Sequence, residues 1–379
     1  MGGLSRTERI VIGVVVVATA VAGLAHYADW APLLAFALAT IALAGLAHVV
    51  SLATEQVGER FGPAATLALA GLAHVVSLAT EQVGERFGPA ATGLLQSTLG
   101  NLPELFVVIF ALRAGEVVVA QTSIVGSIFA NALLVLGLVI VVGARAAPDG
   151  TMRFRARLPN DTATLLLVTS FIIVLVGLAH ATHEPAARHE REISAIAAVA
   201  LLAVYLAWVI PYVRSEGGRE TGDERAPRVA LGVAIGLLAA GGAGSAFVSD
   251  WFVAALRPTI DQLGVSEAFA GLVVVALAGN AVENVAGIVL AHKGQSDLAI
   301  SVVKNSVAQI AAFLYPVLVL VSLLFAHQLT FALAPVLIGA LLLTSLSVWQ
   351  ITGDGEAVAF EGWALVATYV ILAVFTLYE

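Results

Sequence analysis

GNLPELFVVIFALRAGEVVVAQTSIVGS at residues 100–127 and GNAVENVAGIVLAHKGQSDLAISVVKNS at residues 279–306 are one element written twice. The offset is 279 − 100 = 179 throughout, without a gap. Gly100 matches Gly279, Asn101 matches Asn280, Glu104 matches Glu283, Gly115 matches Gly294, Ala120 matches Ala299, and Ser127 matches Ser306. Each copy reads as a helix, a tight glycine turn and a second helix. The flanking sequence places five hydrophobic crossings between equivalent positions. Five is odd, so the copies run in opposite senses. Inverted repeats of this kind build many secondary transporters, with the site near the bilayer midplane between the repeats.

The rest of the chain fits that reading. Of 379 residues, 60% are hydrophobic and 12% charged, and mean hydropathy is +0.97. A soluble domain is about 25% charged, so the solvent for this surface is lipid. Runs long enough to span the bilayer lie at roughly 9–26, 31–54, 91–112, 117–143, 162–180, 192–213, 228–249, 265–291, 297–325, 329–348 and 356–377. The expected fold is therefore an all-α polytopic membrane protein of about eleven helices: a leading helix (1–30), a first five-helix repeat (31–213), an acidic cytoplasmic linker (214–227) and a second five-helix repeat (228–379). Lys and Arg concentrate on the face that carries Arg153, Arg155, Arg157, Arg219, Arg225 and Lys293. That face is expected to be cytoplasmic, with the N-terminus on it, provided a further run at about 64–80 makes no net crossing.

Residues 42–66 recur without a change at 68–92. Perfect identity marks a recent duplication rather than a structural repeat family, and one copy is expected to be redundant. His48, His74, Glu55 and Glu81 in these copies read as the polar end of a helix. His180, His183, His189, Glu184 and Glu190 read as a solvated outer loop, and Arg153–Arg157 as a positive-inside anchor. No cysteine is present, which excludes thiolate metal sites, disulfides and cysteine nucleophiles.

The chemistry lies in Gly-Asn-x-x-Glu. A carboxylate in hydrocarbon is costly and usually functional, and here two occupy matched positions. Gly and Asn loosen the helix before each Glu, and Pro103 removes a backbone donor. An interrupted helix exposes carbonyl oxygens to a cation. Two carboxylates with carbonyl and amide oxygens suit a hard divalent ion such as Ca²⁺, which takes six to eight oxygens. Protons compete for the same carboxylates. A carrier that reorients only when they are neutralised exchanges one ion for the other, without ATP. No P-loop and no nucleophile–base set stands out, so an enzyme is not expected.

GNLPEL with GSIFANALLVLG (126–137), and GNAVEN with NSVAQIAAFLYPVLVL (305–320), resemble the two signature regions of the cation/proton exchanger (CAX) family of the calcium/cation antiporter superfamily. The resemblance implies a secondary-active Ca²⁺/H⁺ antiporter. Glu104 and Glu283 are its central ligands and proton carriers, and Asn101 and Asn280 shape the helix break. Ser127, Asn131, Ser306 and Gln309 supply further oxygens, and Gly100, Gly126 and Gly279 permit close backbone approach. It implies Ca²⁺ and H⁺ as substrates, the bilayer as partner, and neither a cofactor nor a nucleic acid; a homo-oligomer is compatible with it. Short loops and Ala/Val-rich spans point to a prokaryotic plasma membrane. The chain departs from the family in Asn305-Ser306-Val307, where Gly-Ser-Ser is usual, and in Lys304, about seven residues into its helix. Lys304 is expected either to snorkel to the cytoplasmic surface or to add a positive charge near the site. A sodium-driven exchanger is the nearest rival reading; a channel or a non-transporting scaffold is a rival of another class.

Overall fold

The computed structural model describes residues 4–61, 101–216 and 231–379. The chain folds as helices α1 Arg6–Tyr27, α2 Pro32–Phe61, α3 Leu102–Ala114, α4 Val117–Ala146, α5 Arg157–Ala181, α6 Glu190–Glu216, α7 Leu231–Leu263, α8 Glu267–Gly279, α9 Ala281–His292, α10 Ser296–Ser322, α11 Pro335–Thr352 and α12 Ala359–Leu377. Among the described residues, nine helices are long and apolar enough to cross a membrane. The pair α8–α9, bent by 59° at its break, makes a tenth if it is counted as one span. The expected span at 91–112 is described only from Asn101, as α3. The second copy of the duplicated segment and most of the acidic linker lie outside the described residues, while the first copy runs into α2.

Three expected boundaries are corrected. The span placed at 329–348 is helical only from Pro335. Proline biases the residue before it to extended backbone, and Ala334 sits at φ −56°, ψ 138°. The span placed at 228–249 belongs to a helix of 33 residues that runs on to Leu263. Its polar residues Asp250, Arg257 and Asp261 fall on exposed positions, so they do not end it. The span placed at 356–377 begins with a short strand and is helical from Ala359.

The chain divides into two compact units, Met1–Val107 with Leu206–Thr259, and Val108–Tyr205 with Ile260–Glu379. In the first unit α1 starts with a capping box: Glu8 N–H donates to Ser5 Oγ (3.1 Å), and Ser5 N–H donates to Glu8 Oε2 (2.6 Å). Small residues bring α7 close to the first two helices. Gly23 faces the ring of Trp251, Gly241 faces Val50 and Gly244 faces Leu46.

The second unit is organised round α4 and α10. Their most apolar windows are 89% and 72% buried, against 50% or less for the other candidate spans. They are the second helices of the two repeated hairpins, so the repeat supplies the core. α4 packs on α8, α9 and α12, while α10 packs on α9 and α5. Both helices contain a π-helical turn, at Ala130–Val135 and Ile310–Leu314, and α8 contains another at Ala270–Val275. Such turns shift the phase of a helix and recur at functional sites.

Contacts within this unit also sort the loops by membrane face. Strand β1 (Thr151–Arg153) pairs antiparallel with β2 (Glu356–Val358), with Met152 opposite Ala357. Arg155 N–H donates to Asp297 Oδ1 at 2.7 Å. On the other face, the glycine turn at Gly115 lies against His327, and Glu190 meets Thr330. Arg153 of the basic stretch pairs with Asp149 at 2.6 Å and with Glu356 at 3.5 Å. Its hydrogen bond holds the exposed Asp149 carboxyl below the usual carboxylate range.

Candidate cation site

The backbone repeats as the sequence does. α3 begins at Leu102 and α9 at Ala281, and 281 − 102 = 179. α4 and α10 begin at Val117 and Ser296, again 179 apart. Between them Gly115 has φ +83° and Gly294 φ +72°, the left-handed conformation that only glycine adopts freely. The next residues match too: Glu116 at φ −80°, ψ 61° and Gln295 at φ −87°, ψ 63°. The π-helical turns end at Val135 and Leu314, once more 179 apart.

Glu104 and Glu283 each stand third in their helices, α3 and α9. Glu104 and Asn101 are buried, at 7% and 5% exposure. Pro103 is second in α3, where a missing N–H is harmless; the residues before Asn101 lie outside the described ones. The Pro103 carbonyl accepts a hydrogen bond from Ser249 Oγ of α7 at 3.5 Å. In the second copy the break falls where Gly-Asn predicts it. α8 ends at Gly279, and Asn280 leaves the helical region at φ −99°, ψ 9°. Gly100 lies outside the described residues.

The structure brings three of the expected residues together. Asn280 Nδ2 donates to Ser127 Oγ at 2.9 Å and to the Ala276 carbonyl at 2.9 Å. Asn131 Nδ2 donates to Asn280 Oδ1 at 3.2 Å and to the Ser127 carbonyl at 3.0 Å. All three side chains are buried. A carboxamide from the broken helix of one repeat is thus held by the hydroxyl and amide of the other repeat's core helix. Ser306 and Gln309 are fully buried on α10. Replacing Asn280 by Ala leaves buried polar partners with fewer bonds, at about 1–3 kcal/mol. A thermal midpoint lowered by several degrees in detergent, with roughly tenfold slower transport, is the expected outcome.

Sequence reasoning missed two further oxygens. Asn284 Oδ1 and Asn305 Oδ1 are buried with no hydrogen-bond partner among the described residues. Their repeat-mates are Leu105 and Gly126, so the signal was an asymmetry in polar content rather than a match. Lys304 does not snorkel. It is 1% exposed, and its ammonium donates to Thr352 Oγ1 at 3.3 Å, at the end of α11. Its repeat-mate is Val125. Among the described residues no cluster of three His, Asp or Glu side chains forms a separate metal site.

The family model described as sodium/calcium exchanger protein matches residues 31–211 and 233–378. A Ca²⁺/H⁺ antiporter of Synechocystis sp. is 31% identical over 370 residues, covering 92% of each chain. A vacuolar calcium ion transporter of Schizosaccharomyces pombe is 32% identical over 361 residues, covering 92% of this chain and 80% of the other. The solved structure of native YfkE superposes with a TM-score of 0.75 at 25% identity, covering 97% of this chain and all of the other. An H⁺/Ca²⁺ exchanger CAX shares the fold, with a TM-score of 0.74 at 17% identity. The chain therefore belongs to the sodium/calcium exchanger protein family, among its cation/proton exchangers.

Proposed function

We propose that this protein exchanges Ca²⁺ for protons by alternating access, with Glu104 and Glu283 holding the cation and the protons in turn. The single observation that carries the reading is the doubled hairpin: two glutamates at matched third positions of helices that each follow a Gly-Asn pair. The relatives named as Ca²⁺/H⁺ antiporters support it. Asn101, Asn280, Ser127, Asn131, Ser306 and Gln309 complete the oxygen set in this reading, and Asn284 adds a carboxamide oxygen.

Exchange follows from charge. Bringing an uncompensated carboxylate to the bilayer centre costs about 3 kcal/mol on insertion scales. In this reading an empty site with both carboxylates charged reorients less readily than a loaded one. One Ca²⁺ or two protons remove that cost, so the carrier moves only when loaded with one or the other. The positive-inside rule orients it with the N-terminus, the β1–β2 face and the 214–227 linker in the cytoplasm. The membrane is the plasma membrane of a prokaryote.

Purified protein in liposomes with an acidic interior is expected to accumulate Ca²⁺ from a neutral medium. Uptake stops when a protonophore collapses the gradient under voltage clamp. Accumulation that ignores the pH gradient and follows an outward Na⁺ gradient instead overturns proton coupling.

A further inference from the structure

Between α10 and α11 the chain runs without helix from Leu323 to Ala334. Leu329, Phe331 and Leu333 are buried while the alternate residues are less so, the period-two pattern of an extended strap. Non-helical backbone at membrane depth survives only where protein satisfies its polar groups, and side chains from three helices do so here. Ser322 Oγ accepts from Leu329 N–H at 2.9 Å, and Ser194 Oγ accepts from Phe331 N–H at 3.2 Å. Gln121 Nε2 donates to the Ala332 carbonyl at 2.6 Å. Tyr315 Oη donates to the Thr330 carbonyl at 2.8 Å. Thr330 is the hub. Its hydroxyl accepts from Ala332 N–H and donates to Glu190 Oε1 at 2.5 Å.

Glu190 divides its carboxylate. Oε1 holds the strap, and Oε2 lies 2.6 Å from His180 Nδ1. The Glu190 side chain is 20% exposed, whereas the His180 side chain is 61% exposed. A polar chain therefore runs from solvent at His180, through Glu190 and Thr330, to Tyr315 on α10 and Gln121 on α4. Tyr315 directly follows the π-helical turn of α10, and Gln121 lies six residues before Ser127.

We infer that the His180–Glu190 pair is a proton-operated latch on the 323–334 strap, closing the face of the membrane opposite the β1–β2 loops. Imidazole is the side chain that changes charge between pH 5 and 8. A protonated His180 compensates the largely buried carboxylate and fixes it in place for Thr330. When His180 is neutral, the carboxylate keeps its charge but loses its counter-ion, and its gain from turning toward water releases Thr330. Acid closes the strap and alkali loosens it. His183 lines the same recess of about 460 Å³ as His180, with Ala332–Pro335 on its other side. The other titratable or charged groups at this end of these elements are Glu184, Arg188 and His189 in the connecting turn, Arg191 and Glu192 in the first turn of α6, and His327 in the strap. None of them, nor His183, makes an ion pair among the described residues. The latch acts in the same way whichever cation is transported.

The chain contains no cysteine, so one introduced thiol reports without background. Leu333→Cys places it under the strap, and Glu379→Cys places it on an exposed terminus. Each full-length variant is labelled in detergent with a charged maleimide from pH 5.5 to 8.5, and the ratio of the two rates cancels the thiol's own titration. The ratio is expected to rise about tenfold toward alkaline pH. Adding His180→Gln holds it at the high value throughout, adding His180→Arg holds it at the low value, and adding His183→Gln leaves the rise intact. The latch is overturned by a ratio that stays flat in the parent, by a rise that survives His180→Gln, or by His180→Arg behaving like His180→Gln.

Discussion

Glu104→Gln and Glu283→Gln are each expected to lower Ca²⁺ uptake by more than a hundredfold while leaving the protein folded. Glutamine keeps the size and one carbonyl oxygen of the side chain. It loses the charge that balances half of a divalent ion, and it carries no exchangeable acid proton. Removing one partner of a buried charge pair costs about 3–5 kcal/mol, which corresponds to a factor of a hundred or more in affinity. Without bound ion the neutral side chain of the Glu104→Gln variant relieves a burial cost, so thermal stability in detergent should hold or rise. Initial rates of isotopic Ca²⁺ uptake over a range of Ca²⁺ concentrations, with the thermal midpoint measured beside them, separate lost binding from lost folding. If both variants keep wild-type flux, the cation lies elsewhere.

The features of the site that could be read from sequence are those that the backbone demands. Gly115 and Gly294 were matched as letters, and each proves to sit at positive φ in a turn of the same shape. The break at Asn280 falls where Gly-Asn stands. These signals are local: a left-handed turn needs glycine whatever surrounds it. The π-helical turns at 130–135, 270–275 and 310–314 left no such trace. An i→i+5 turn contains the same apolar residues as an i→i+4 turn, and only packing selects it.

The strap escapes a hydropathy reading for a related reason. Leu329–Ala334 are apolar enough to join a hydropathy run, and hydropathy does not distinguish a helix in lipid from an extended segment buried in protein. Pro335 was the one local warning. Lys304 shows the opposite limit. Its stem is long enough to reach the surface or to fold inward, and the deciding contact, Thr352, lies 352 − 304 = 48 residues away in another helix. The Asn280–Ser127–Asn131 cluster is intermediate. Family resemblance named its members, but that one carboxamide joins the two repeats follows only from the packing of α8 on α4.

That packing sets the second large effect. Gly126 on α4 and Gly271 on α8 face each other's helices at one crossing. A Cβ on Gly126 would overlap the backbone carbonyl and Cα of Leu272, and a Cβ on Gly271 would overlap Thr122 Oγ1 and crowd the Val119 carbonyl and Ser123 N. Close approach through small residues is how membrane helices gain packing energy. Here most of the neighbours are backbone atoms, which cannot turn aside as a side chain would. Overpacking a tight core costs typically 1–3 kcal/mol and more where nothing yields; Gly126→Ala and Gly271→Ala each belong at the upper end, about 3 kcal/mol. The cost is also positional. Parting α4 from α8 draws Ser127 away from the Asn280 side chain that it holds at 2.9 Å, so transport should fall at least tenfold even where the protein survives purification. Gly339→Ala on α11 meets nothing within 4 Å and removes a flexible residue from a helix, so it should be neutral or stabilising by about 0.5–1 kcal/mol. Thermal midpoints and uptake rates of the three variants test this together. A general dislike of alanine for glycine would move all three alike, whereas a crossing held by Gly126 and Gly271 loses stability and transport in those two alone.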